Sequence, residues 1–334
     1  DWREVEPRGP AFLFAPRDAA LETEYRRGVP LTAIFPEHSV GIVTGRDAFA
    51  IDTDPAELER RIGRLRSETV ADEIMQHEWG LKEKGRCPMK EARRKIRNDP
   101  EWQTHCREIL FRPFDRRWIF YEDYVVERPR REIMRHLLVP KELGNLGLIV
   151  PRQHKEEPGA LVTDTIVAHK AVSAFDINSV FPLYLYPKAA RLDGAGRLAN
   201  VDPACQRLFA ARVGEEPVPE LVLQYVYAIL YSPGYRQRYA DLLRADFPRI
   251  PLPPNRGVFL ELAGQGAVLI ALHLPPRPGA LSLRDGRIDD AGKVFEGISA
   301  EVLAYRVGGY QVLDRWLAGR AGRSLRLEEI HEFQ

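Results

Sequence analysis

Residues 109–152 read ILFRPFDRRWIFYEDYVVERPRREIMRHLLVPKELGNLGLIVPR, and no other stretch restricts the fold of this chain as much. Arginines alternate there with aromatic residues and prolines. The run closes on a short apolar segment, 146–150, followed at once by Arg152, Gln153, His154 and Lys155. A guanidinium group is planar and offers two parallel donors, a shape that suits a phosphate or the edge of guanine. Aromatic and apolar side chains set between arginines build a platform that fixes where they point. The pattern predicts the reading face of a nucleic-acid-binding module, with the rest of the chain as its scaffold.

With 334 residues the chain can bury a substantial core and is expected to hold two subdomains. Hydrophobic residues at 44 % and charged residues at 29 % are ordinary for soluble globular proteins. No secretory leader and no apolar run long enough to span a bilayer is present, so no membrane partner is expected. Cys87, Cys106 and Cys205 are scattered without a CxxC pair, which argues against a disulfide framework or a cysteine zinc site and fits a reduced, cytoplasmic setting. The net charge of +1 does not mark a nucleic-acid binder, but its distribution is uneven: residues 82–135 carry 16 Lys and Arg against 10 Asp and Glu, a local +6. The chain opens on Asp1-Trp2, and 328–334 read as a helix that stops soon after it starts, so a longer parent polypeptide is expected.

The expected architecture is α+β (mixed α/β), a β-rich recognition core flanked by helical segments. Residues 1–50 form a β-rich segment of that core, with strand-like runs at 12–16, 31–35 and 40–44; Thr44, Arg46 and Asp47 follow the last run, where a loop carries functional groups on a rigid base. Residues 51–110 form a helical basic insertion. Asp54 can cap its first helix, Pro55 suits the first helical position, and Glu57 completes a capping box. A second helix is expected from 98–101, with Trp102, Cys106 and Ile109 on one face. Residues 111–216 form the β-rich core itself. Strands are expected at 118–124, 146–150, 161–167 and 180–186, the last placed at an edge or bulged by Pro182, with a short helix at 132–138. Residues 217–334 are mostly helical: 221–229, a break at 232–234, 235–244, an extended proline run at 248–254, a helix at 258–274, a hairpin turn at Asp285-Gly286, and a helix face of Tyr310, Leu313 and Leu317. Helix, break and helix around 232–234 have the outline of a DNA-reading helix-turn-helix, but Tyr239, Leu242 and Leu243 point the second helix inward, as in a plain αα-hairpin.

Missing motifs narrow the chemistry. There is no Asn-Pro-Pro-Tyr or Asp-Pro-Pro-Tyr loop, no GxGxxG after a strand, and no HExxH among the eight histidines. The nearest approach to a phosphate loop, 286–294, has one residue too many between its glycines and Val294 where Ser or Thr would hold magnesium. Glu156 and Glu157 lack a partner Asp at nuclease spacing. The chain alone is therefore not expected to be an enzyme.

At Phe111-Arg112-Pro113-Phe114-Asp115-Arg116-Arg117-Trp118 the sequence resembles the C-terminal specificity region of Type ISP restriction–modification enzymes and related large bacterial N6-adenine DNA methyltransferases. The resemblance continues in order through Gly41-Ile42-Val43-Thr44-Gly45-Arg46-Asp47, the segment 129–136, Tyr184-Leu185-Tyr186-Pro187, the segments 225–239 and 246–251, and Val307-Gly308-Gly309-Tyr310-Gln311-Val312-Leu313. It covers nearly the whole chain, and it implies a bacterial target recognition module for double-stranded DNA, joined to a methyltransferase domain of the same polypeptide. Adenine methylation and cleavage would lie in other domains, as would S-adenosylmethionine, ATP and magnesium, leaving no cofactor in this chain. Arg152, Gln153, His154 and Lys155 are the expected base readers, since Arg suits guanine and Gln suits adenine. Thr44, Arg46, Arg112, Arg116, Arg117, Arg130, Arg131, Arg135 and Lys170 complete the expected DNA-binding set, mostly as phosphate contacts. Salt bridges inside the fold are the competing use for each arginine, and Arg112 with Asp115 is a candidate pair that braces a turn. Two other readings stay open: a docking domain that never touches DNA, and a catalytic nuclease or methyltransferase fragment.

Overall fold

A computed structural model of the chain describes residues 18–81, 86–140, 143–156, 159–187, 196–274 and 300–320. The fold is mixed α+β, and alternation along its strands explains its layers. In Gly147–Pro151 the side chains of Leu148 and Val150 enter one core while Ile149 enters another, and Phe181 and Val180 divide the same way in Asn178–Pro182. Both strands are buried along their whole length. A strand of period two that is apolar on both faces must be a wall between two cores.

Among the described residues two four-stranded sheets form such walls. The first sheet has the order Ser39–Val40, Asn178–Pro182, Gly147–Pro151, Leu161–Thr163, all antiparallel. The second has the order Ile51–Asp52, Asp115–Phe120, Cys106–Arg112, Ile166–Val167, with the last pair parallel. Between them lies a core of Ile109, Ile119, Ile149, Leu161, Ile166 and Val180. Behind the second sheet, Phe120 and Cys106 pack on Leu58, Ile62, Met89 and Ile96 from helices Pro55–Arg66 and Met89–Arg97. Behind the first, Leu148, Val162 and Phe181 pack on Phe209, Val222, Tyr225, Val226 and Phe259 from helices Pro203–Val213, Pro219–Tyr231 and Arg256–His273. The order is therefore helix, sheet, sheet, helix. Two short segments tie the sheets together: 161–167 gives a strand to each, and 39–43 leaves the first sheet at Val40 to bridge Ala168 at Ile42 and Arg128 at Val43.

Several local expectations change. Asp54 caps Pro55–Arg66 as its sequence implies, accepting from the Ala56 amide at 2.9 Å. The stretch 31–35 is not a strand: Leu31–Ile34 is a single helical turn that buries Leu31 and Ile34. Residues 102–109 do not continue as a helix either. A 3-10 turn, Trp102–His105, gives way to the strand Cys106–Arg112, which gains the ladder of Asp115–Phe120. That strand crosses residue 110, where the sequence suggested a change from helical insertion to β-rich core. Pro182 does not push its strand to an edge, because Asn178–Pro182 lies inside the first sheet and the proline is its last residue, beyond the two-residue ladder with Ser39–Val40. The 12–16 run, the Asp285-Gly286 turn and the 328–334 segment lie outside the described residues.

Candidate nucleic-acid interface

One edge of the two-sheet core collects loops from four parts of the chain, and Asn178 organises it. Its side chain is fully buried; Oδ1 accepts the amides of Ala171 at 2.7 Å and Val172 at 3.3 Å, and Nδ2 donates to the Ala168 carbonyl at 3.1 Å. The main chain of Asn178 bonds His169 on one side and Gly41 on the other. The loop from Ala168 to Asn178 is thereby held to the 41–47 turn. Gly41 is required there, since a Cβ would stand 2.5 Å from the Ala168 backbone. Further along the loop, Ala174 donates to the Gly308 carbonyl, Tyr310 Oη donates to Lys170 O at 3.2 Å, and Asp176 accepts the Lys155 amide at 3.0 Å. Gly308 and Gly309 both have positive φ, and side chains at either would strike Val172 or Glu156.

The thirteen residues chosen from the sequence divide sharply on this frame. Arg112 lies over the Phe111 ring at 3.8 Å and donates to the Phe111 carbonyl at 2.7 Å, with the Tyr310 ring at 5.6 Å, and burial draws its pKa below the ordinary arginine value. It does not pair with Asp115 as the sequence suggested. Asp115, 2 % exposed, is taken by Arg117 at 2.8 Å and by Arg320 at 2.9 Å. Among the described residues Arg46, Arg112, Arg130, Arg135, Lys155 and Lys170 have no carboxylate within ion-pair distance. Arg46 instead donates to the Cys87 carbonyl, and Arg135 to that of Tyr186. Arg130 carries φ +56, an unusual backbone for a branched-free but bulky residue. Arg152 and Gln153 are exposed at the end of Gly147–Pro151, with Arg152 in a surface pair to Asp246 at 2.8 Å. A pair this open to solvent is worth about 0–1 kcal/mol, so Arg152 is readily released.

Five of the chosen residues are engaged inside the fold. Thr44 is buried and donates to Asp47, closing its turn. Arg116 joins Glu108 and Asp164, Arg117 joins Asp115, and Arg131 joins Asp123 and Glu122 while covering the Tyr121 ring. His154 is 6 % exposed, and burial pushes its pKa down to about 4, so it sits as a neutral side chain within the fold and does not stand out beside Arg152 and Gln153. The basic insertion behaves likewise. Arg61 donates to the carbonyls of Ala48 and Phe49 and pairs with Asp52, while Arg93 pairs with Asp72 at 2.7 Å. These arginines are internal struts.

Sequence reasoning missed His169, Asn178 and Phe175 at this edge. His169 Nδ1 lies 3.1 Å from the Ile42 carbonyl, and burial lowers its pKa. The one available signal was the Ser173-x-x-Asp176 spacing of a side-chain-closed turn. A separate surface groove of about 640 Å³ is lined by Glu37, Glu132, Arg135, His136 and Tyr186, away from the Asn178 edge. Among the described residues no three His, Cys, Asp or Glu side chains gather as a metal site, and no helix is long and apolar enough to cross a membrane.

No curated protein sequence matches the chain. Among solved structures it is similar to the DrdV–DNA complex, at 26 % identity and TM-score 0.56 over 72 % of this chain and 23 % of that one. It is also similar to a nuclease-deletion mutant of the Type ISP restriction–modification enzyme LlaGI in complex with a DNA substrate mimic, at 18 % identity and TM-score 0.64 over 99 % of this chain and 28 % of the other. The ATP-dependent Type ISP enzyme LlaBIII bound to DNA aligns at 16 % identity and TM-score 0.61, over 85 % and 20 %. The chain thus spans about a quarter of the length of these proteins. The family model described as the Type ISP C-terminal specificity domain matches residues 33–333, and the chain belongs to that family.

Proposed function

We propose that this chain recognises the base sequence of double-stranded DNA and acts as the specificity module of a larger bacterial restriction–modification polypeptide. Adenine methylation and cleavage belong to other domains, as do S-adenosylmethionine, ATP and magnesium, and the setting is the bacterial cytoplasm. The observation that carries the reading is Arg112: a guanidinium without a carboxylate partner among the described residues, braced against Phe111, on the edge that also bears Lys170 and Lys155. Cations held in place but not neutralised inside the fold are what a phosphate backbone requires. The DNA present in the DrdV, LlaGI and LlaBIII structures supports the same partner. Arg46, Arg112, Arg130 and Lys170 would hold phosphates, and Arg152 and Gln153 would read base edges in the major groove. A second contact, with the methyltransferase domain of the same polypeptide, is supported by Leu260, Val268 and Leu272, which stand exposed on the helix Arg256–His273.

The test is binding to a random-sequence duplex pool, followed by affinity measurements on the selected duplex across a salt series. Affinity should fall steeply with salt, and Arg112→Ala and Lys170→Ala should each reduce the slope by about 1. Arg152→Ala or Gln153→Ala should instead relax preference at one base pair, by about 1–3 kcal/mol. Binding that ignores salt, or no binding at all, overturns the proposal.

A further inference from the structure

Phe175 and Ile177 are exposed by 53 % and 52 %, two large apolar side chains within three residues on the same edge. Single exposed apolar residues are common on any surface. These two differ because everything around them is fixed. Ser173 Oγ accepts the amides of Phe175 at 3.1 Å and Asp176 at 2.9 Å, and donates to the Asp176 carboxylate at 3.0 Å. Ser173 is 1 % exposed, Asp176 9 % and Asn178 0 %, so each neighbour that could turn inward has done so. The loop is therefore a rigid mount whose tip alone faces out. Lys155 is tied to Asp176 through its amide, and Lys170 is tied to Tyr310, beside the Gly308 carbonyl that holds Ala174.

We propose that Phe175, with Ile177 beside it, is a wedge that enters the base stack of a bound duplex and opens one base step. This rests on the DNA-recognition reading above and adds to it. A protein partner would call for a broad apolar patch, whereas here only two apolar groups stand out, on a loop that contains Lys170 and is bonded to the main chain of Lys155; apolar wedges beside backbone-holding cations are what inserts between bases. The aromatic face replaces part of the stacking that the opened step loses. The wedge also gives the module a way to read how easily a step unstacks, a property that differs among sequences and needs no hydrogen bond.

The experiment uses the 334-residue chain and a duplex selected by it from a random-sequence pool, labelled with 2-aminopurine at each position in turn. The wild-type protein should raise the fluorescence several-fold at one step and leave the rest unchanged. Phe175→Ala should abolish that signal and weaken binding by about five-fold or more, with the salt slope unaltered. Phe175→Trp, which keeps a stacking face, should retain the signal. Superimposable profiles for wild type and Phe175→Ala on a duplex both bind overturn the wedge alone and assign the loop tip to a protein contact instead. A wild-type chain that selects no duplex overturns the recognition reading, and the wedge with it.

Discussion

Asp115 and Asp246 each hold an arginine, and the difference between them is burial. Asp115 lies between Arg117 and Arg320 with both its own side chain and that of Arg320 only 2 % exposed. Asp115→Ala removes the buried carboxylate that Arg117 and Arg320 share, and urea unfolding should show a loss of about 3–5 kcal/mol. Asp246 meets Arg152 at a site more than 60 % exposed on both sides, and Asp246→Ala should change stability by less than about 1 kcal/mol. Histidine burial makes a pH prediction at the same scale. His136, His154 and His273 are each held down to about 4, chiefly by burial, against 6.5 in an unfolded chain. Between pH 6.5 and 4 the unfolded chain takes up protons that the folded chain refuses, so stability falls as pH is lowered through that window and this contribution levels off below 4. Melting temperature against pH should show the slope, and His154→Gln should make it shallower.

At the scale of elements, the crossing of Pro219–Tyr231 and Arg256–His273 depends on one glycine. A Cβ on Gly266 would lie 1.8 Å from the Gln224 carbonyl oxygen, so the helices approach backbone to backbone there. Gly266→Ala should force them apart at a cost of about 1–3 kcal/mol. Gly264, two residues earlier, meets nothing within 4 Å, and Gly264→Ala should stabilise by up to about 1 kcal/mol. Thermal melts of both variants test the pair, and equal effects would refute this account of the crossing. The sequence shows both glycines in one apolar helix without distinguishing them. It also misleads at 102–112. Apolar residues at Trp102, Cys106 and Ile109 fit a helical stripe, yet Cys106–Arg112 is a strand, because pairing with Asp115–Phe120 outweighs a short local pattern.

At the scale of the whole molecule, the described residues form four layers that share their walls. Cys106 and Phe120 face the outer helical core while Ile109 and Ile119 face the inner one, so neither core can melt without stripping the same two strands. Trp79, Trp102 and Trp118 all surround the outer core. Their fluorescence and the far-UV circular dichroism of the whole chain should therefore share one urea midpoint; an earlier fluorescence transition would mean that the helical insertion unfolds alone. Much of this was legible in residues that act locally: the Asp54-Pro55 helix start, the strand of Gly147–Pro151 buried on both faces, and the break between helices at Ser232-Pro233. Arg112 and Lys170 stand out as cations in the sequence as well. Whether an arginine is available to a partner was not legible, because that is settled by a carboxylate arriving from elsewhere: Asp164 reaches Arg116 across 48 positions, and Arg320 reaches Asp115 across 205. The sequence by itself determined the capped helices, the apolar walls and the wealth of guanidinium groups, since these follow from neighbours in the chain. Only the tertiary structure decided which of those groups are left without a carboxylate partner, since Coulomb attraction depends on distance in space and not on distance along the chain.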